Sequence, residues 1–223
     1  MTHPRRFRAL ILGVLLPLVA AGCSGLRTLS DPTLVVETNG GRELGVATDW
    51  GVVFLGRTAR SGPARVTAWF GDGPSLERTV IEPIGPELCT VEAPIRLPDV
   101  PIDFRDPRPG ETLLVFGRDA RGPWSESVTV VEDPRVLGLL TTLPARLAQG
   151  ADQVGAGVYS IPVGGDTRTK RLVGLAAGTI RLRTTAGERE YLAVVGPQEL
   201  WRLVTARRDA GARRPWIYRD DVL

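Results

Sequence analysis

An all-β fold, with its strands in two groups and a single helix near the C-terminus, is predicted by three observations. The chain has 26 Gly and 18 Pro in 223 residues and only 6% aromatic side chains, so turns are frequent and elements short, which favours strands over a helical bundle. Short runs rich in β-branched residues recur from Glu43 onward between Gly, Pro and Asp. The Pro-rich stretch Pro98 to Pro109 divides these runs into two sets, as a linker between two small barrels would. At 43% hydrophobic and 24% charged, the composition is that of an ordinary globular chain, neither disordered nor collagen-like.

The first element is a leader. Arg5, Arg6 and Arg8 precede an apolar run from Ala9 to Ala21, shorter than the roughly 20 residues a spanning helix needs and matched to a secretory signal peptide over residues 1–22. The sequence Ala20-Ala21-Gly22-Cys23 resembles the lipobox of bacterial lipoproteins, although Ala20 stands where Leu is commoner. That resemblance implies a diacylglycerol on Cys23, which would be the mature N-terminus and the attachment to the membrane. Ser24 after the Cys implies sorting to the outer membrane, facing the periplasm. Residues 23–41, with Gly25, Ser30, Asp31, Pro32, Gly40 and Gly41, read as a tether.

Loss of residues 1–22 removes three arginines and no carboxylate, so the 28 basic residues fall to 25, equal to the 25 acidic ones. A neutral chain without a basic stripe argues against nucleic-acid binding. Cys89, in Leu88-Cys89-Thr90-Val91, reads as a small buried hydrophobe with no cysteine to pair with. The only histidine is His3, inside the leader. Ser-His-Asp and Cys-His mechanisms and His-based zinc sites are therefore excluded in their usual form, and no cofactor or metal site is expected.

Strands follow in order. Residues 42–107 are expected to form the first group, with runs at Gly51–Leu55, Ala64–Phe70 and Thr79–Ile84. The second, residues 108–208, has Thr112–Phe116, Val128–Val131, Arg171–Ala176, Thr179–Thr184 and Tyr191–Val195. Alternation is clearest where Val66, Ala68 and Phe70 share a face, and where Ile180 and Leu182 oppose Arg181 and Arg183. The helix begins at Pro197, with Glu199 in its first turn, Leu200, Trp201, Leu203 and Val204 as an apolar stripe, and Arg207-Arg208 near its end. Residues 209–223 form a tail whose Trp216, Ile217 and Tyr218 favour docking on the domain or on a partner. Trp50, Trp69, Trp124 and Trp201 read as packing aromatics, and Asp72, Asp99, Asp103 and Asp106 as solvated turn or linker residues.

Taken as an ordered series, residues 43 to 207 resemble a bacterial trypsin-like serine peptidase of the chymotrypsin fold. The segments that carry the resemblance are D-W-G-V-V-F-L-G-R-T-A at 49–59, R-V-T-A-W-F-G-D-G at 65–73, E-L-C-T-V-E-A-P at 87–94, R-P-G-E-T-L-L-V-F-G-R at 108–118, G-V-Y-S-I-P-V at 157–163 and R-L-V-G-L-A-A-G at 171–178. The resemblance implies two packed six-stranded antiparallel β-barrels followed by the helix. It also places the histidine position on Thr58, the aspartate position on Glu87 and the nucleophile on Tyr159, with Ser160 and Ile161 in place of the glycines of the oxyanion hole. A phenol with a pKa near 10 and no imidazole beside it does not replace an activated serine. A Ser160–Lys170 pair is the remaining catalytic option, but Lys170 in Thr167-Arg168-Thr169-Lys170-Arg171 reads as a solvated loop lysine.

The function this implies is that of a lipid-anchored envelope pseudoprotease that binds a protein or peptide. The alternatives are an envelope lipoprotein with an unrelated β-sandwich, or a hydrolase using the Ser160–Lys170 pair.

Overall fold

The computed structural model describes residues 32–68, 75–91, 100–119, 122–136, 138–148, 154–184 and 187–209. Among them are twelve strands and two helices. The first six strands are β1 (Thr33–Thr38), β2 (Gly41–Thr48), β3 (Gly51–Phe54), β4 (Pro63–Ala68), β5 (Ser75–Ile84) and β6 (Leu88–Val91). They close into a barrel in the order β1-β2-β3-β6-β5-β4, each pair antiparallel. The remainder are β7 (Thr112–Asp119), β8 (Gly122–Val131), β9 (Leu139–Thr142), α1 (Ala145–Ala148), β10 (Gly157–Ser160), β11 (Arg171–Thr184), β12 (Gly187–Val195) and α2 (Pro197–Asp209). Their strands close a second antiparallel barrel, β10-β11-β12-β9-β8-β7. The unrelated β-sandwich is thereby replaced by two closed barrels.

Three apolar clusters hold these layers. Leu34, Val36, Val52, Phe54, Val66 and Cys89 are among those filling the first barrel, and Leu113, Val115, Trp124, Val158, Val173 and Leu192 are among those filling the second. A third cluster lies between the barrels. It takes Val53, Leu55 and Leu88 from the first barrel, Tyr159, Leu172 and Leu175 from the second, and Leu200, Leu203 and Val204 from α2. Burial of so many side chains on both faces of a strand explains the continuous apolar runs. In β3, Val52 and Phe54 point to the first core while Val53 and the following Leu55 join the interbarrel cluster.

The structure revises several expected boundaries. Residues 33–38, placed in the tether by sequence, form β1, paired with both β2 and β4. Val36 faces the first core and Val35 the second cluster, so this strand shows no alternation. The expected strands 171–176 and 179–184 are one strand, β11, with a bulge between Ala176 and Gly178. Gly178 has φ +144° there, a conformation other residues rarely adopt. Trp201 is not part of the buried stripe of α2: it is 50% exposed, edge to face with Phe104 at 5.1 Å, while Leu200 and Leu203 are fully buried. Between the barrels the chain is pinned to both, Val100 bridging Thr48 and Ile102 bridging Leu172.

Candidate functional site

The turn after β3 carries Thr58. It is fastened by a residue that no sequence motif singles out. Glu43 on β2 is only 6% exposed; one carboxylate oxygen accepts the Thr58 amide at 3.1 Å and the Thr58 hydroxyl at 2.8 Å, and the other accepts the Arg57 amide at 3.3 Å. A buried carboxylate with three donors is stable because its lone pairs are satisfied. Thr58 therefore donates its hydroxyl to a carboxylate held within the fold.

The turn carrying Glu87, between β5 and β6, is clamped to the first turn. Arg60 donates to the carbonyls of Gly85 at 2.8 Å and Leu88 at 3.3 Å, and Arg57 lies 3.7 Å from the Glu87 carboxylate. Both partners of that last pair are about half exposed, so its contribution is small. Behind them Cys89 is fully buried, and burial pushes its thiol pKa up.

Tyr159 on β10 sits where its strand shifts register against β11. Its side chain is fully enclosed in the interbarrel cluster that also contains Leu55 and Leu88, which flank the other two turns. The ring meets Phe116 edge to face, with centroids 5.3 Å apart. It also lies over Gly157: a Cβ there would come within 2.6 Å of three atoms of the phenol, so the glycine two residues earlier makes room for the tyrosine. Thus the turns of Thr58 and Glu87 are clamped together, and Tyr159 lies in the cluster to which Leu55 and Leu88 belong.

Ser160 and Lys170 have other partners than each other. The Ser160 hydroxyl donates to Asp103 at 2.7 Å, and Asp103 is itself fixed through its amide on the carbonyl of Leu172. Lys170 is not a solvated loop residue. It is 5% exposed, its ammonium 4.9 Å from the centre of the Phe116 ring and 5.7 Å from that of Tyr159, donating to the Thr167 carbonyl at 3.4 Å. The polar run around it gave no sign of this, because the rings that cover it come from distant strands. Asp103 likewise departs from its reading as a solvated linker residue, since it holds Ser160. Cys23, Trp69, Asp72, Asp99 and the tail 213–223 lie outside the described residues.

Chemically, these positions offer a hydroxyl bound to a carboxylate at Thr58, another at Ser160, and an enclosed phenol at Tyr159. Among the described residues there is no imidazole to serve as a proton carrier. Among the described residues no group of three or more His, Cys, Asp or Glu could hold a metal ion. Beside Glu87 a cleft of about 630 Å³ opens, lined by Asp106, Pro107, Ala177, Val195 and the first turn of α2 among others.

No family model matches the sequence and no curated protein sequence matches it. Solved structures do. A serine protease of a human pathogenic astrovirus is similar with a TM-score of 0.52 at 12% identity, over 75% of this chain and 91% of that one. A serine endoprotease from Yersinia pestis is similar with a TM-score of 0.54 at 15% identity, over 84% of this chain and 65% of that one. With its two closed six-stranded antiparallel barrels, this chain has the chymotrypsin-like fold of those viral and bacterial serine proteases.

Proposed function

We propose that this chain is a lipid-anchored binding module of the bacterial cell envelope, a protease fold that recognises a protein or peptide without cleaving it. The observation that carries the reading is the full burial in the interbarrel cluster of Tyr159, the residue that the resemblance sets at the nucleophile position. The rest of the reaction set is missing with it. Thr58 at the histidine position is bonded to Glu43, and the one histidine of the sequence, His3, belongs to the leader. A cleft between barrels persists without the chemistry, and strand edges bind extended peptides through main-chain hydrogen bonds.

A fluorophosphonate probe together with a peptide-hydrolysis assay on the purified chain tests the first half of this reading. Neither labelling nor cleavage is expected, and Tyr159→Ser does not restore them, because no imidazole is present to activate a new hydroxyl. Labelling abolished by Ser160→Ala would instead support the hydrolase reading. For the anchor, incorporated palmitate is expected on the wild-type chain and absent from Cys23→Ser, which then fractionates away from membranes.

A further inference from the structure

Exposed apolar side chains gather around the interbarrel linker. Among the described residues the large hydrophobics left exposed are Val80, Phe104, Val163 and Trp201. The last three surround one short segment. Phe104 meets Trp201 of α2 edge to face, and Arg105, the next residue, lines a cavity together with Arg108, Val163 and Arg171. Val163 belongs to the connection between β10 and β11, which is exposed at every residue from 162 to 169. An aromatic pair standing in water beside a bare valine is a mark of a contact surface.

The start of the first barrel lies against the same linker. The Pro32 carbonyl accepts the Ala47 amide at 2.9 Å, and the Ala47 carbonyl accepts the Val100 amide at 3.1 Å. The N–H and C=O of one strand residue point the same way, so Pro32 and Val100 are neighbours beside β2. β1 runs antiparallel to β2, whereas the linker runs parallel to it where Val100 bridges Thr48. Followed backward from Thr33, the chain therefore heads in the direction that the linker takes toward Phe104. Phe104 is four residues past Val100, at most about 14 Å along the chain. Cys23 stands nine residues before Pro32, at most about 32 Å away. A bilayer that holds a lipid on Cys23 is thus within reach of the exposed patch.

Charges beside the patch are engaged with one another. Arg105 is paired with Glu111 and Asp103, Arg202 with Glu199, and Asp103 also accepts the Ser160 hydroxyl. Little net field is left to select a charged partner. The face offers instead an indole and a phenyl ring, which settle at the level of lipid headgroups, and Arg108 and Arg171 beside them can donate to lipid phosphates.

We propose that Phe104, Val163 and Trp201 form a membrane-contact face, which rests in the headgroup region of the bilayer that carries the lipid of Cys23. The inference rests on the anchor proposed above and adds the orientation in which the barrels sit on the membrane.

Residues 23–223 contain every described strand and helix and serve as the test protein. An environment-sensitive dye is attached at Val163→Cys or, for comparison, at Asn39→Cys, in the turn at the other end of β1, about 23 Å from Pro32 along the strand. The buried Cys89 thiol does not compete for the dye. With the lipid-bearing chain in phosphatidylethanolamine–phosphatidylglycerol vesicles, the dye at position 163 is expected to lose most of its quenching by iodide, and the dye at position 39 to keep it. The Cys23→Ser form of the same residues is expected to partition onto these vesicles weakly but measurably. Trp201→Glu and Val163→Glu are each expected to lower that partitioning at least about threefold without changing the melting temperature, because neither side chain is buried. Raising the salt to about 0.5 M is expected to change it little.

Equal quenching at positions 163 and 39, or partitioning indifferent to both glutamate variants, would overturn the face. Shielding at position 163 that is present without vesicles and lost on deleting residues 213–223 would give the patch to the chain's own tail instead. Absent palmitate on the wild-type chain, with the Cys23→Ser form still partitioning through Trp201 and Val163, overturns the anchor alone. Incorporated palmitate with equal quenching overturns the face alone.

Discussion

Glu43 illustrates how one residue governs the geometry of this junction. Its carboxylate is the acceptor for the Arg57 and Thr58 amides and the Thr58 hydroxyl, so Glu43→Ala orphans three donors in a nearly closed site. A loss of about 2–3 kcal/mol is expected from urea unfolding, with a wild-type-like response ruling out the anchoring role. Tyr159 is the second such residue. Truncating its enclosed ring in Tyr159→Ala leaves a cavity between the barrels, and about 3–5 kcal/mol of stability is expected to go with it. Cys89 is the third: with burial raising its pKa and no exposure, the thiol of a Cys23→Ser variant is expected to resist a thiol reagent at mildly alkaline pH until denaturant is added. Rapid modification of the folded protein would contradict that placement.

Among the elements, the interbarrel linker carries an ion pair whose strength depends on pH. Arg105 donates to both carboxylate oxygens of Glu111, at 2.8 and 2.6 Å, and the Arg108 amide adds a third bond. The bonds from Arg105, foremost, hold the Glu111 pKa at about 2, against burial that would raise it. A carboxylate whose folded pKa is depressed stabilises the fold above its unfolded value, near 4.5, and that stability drains away as pH falls toward 2. Arg105 is 49% exposed, so solvent screening reduces the effect to about 1 kcal/mol. Unfolding measured across this interval is expected to show a shallower acid limb for Glu111→Gln than for wild type; identical slopes would mean the pair contributes nothing.

For the whole molecule, closure of the first barrel makes β1 indispensable. Without it the facing edges of β2 and β4 lose their hydrogen-bond partners, and the apolar contacts of Leu34, Val35 and Val36 disappear. A chain beginning at Asn39 is therefore expected to be unfolded or aggregated by circular dichroism and gel filtration, whereas tethering residues alone would be dispensable. A cooperative native melt of that shortened chain would show that five strands suffice.

The all-β class, the division at the Pro-rich linker, the helix at Pro197 and, through an ordered resemblance, two six-stranded barrels are legible in the amino-acid sequence. Each of these is written in local signals: turn residues, β-branched runs and an N-terminal proline followed by an apolar stripe. The same register selected Thr58, Glu87 and Tyr159; the turns of the first two are clamped together, and the third is buried in the interbarrel cluster. What surrounds them depends on how distant segments pack. Glu43 lies 15 residues before Thr58, and Asp103 lies 57 before Ser160; no local pattern links residues so far apart. Lys170 reads as solvated from its polar neighbours in sequence, whereas its neighbours in space, Phe116 and Tyr159, are aromatic. Strand β1 carries no alternation to read, because it is buried on both faces. A sequence records the character of each residue, but burial depends on which distant surfaces close over it, and that is fixed only when the barrels form and pack.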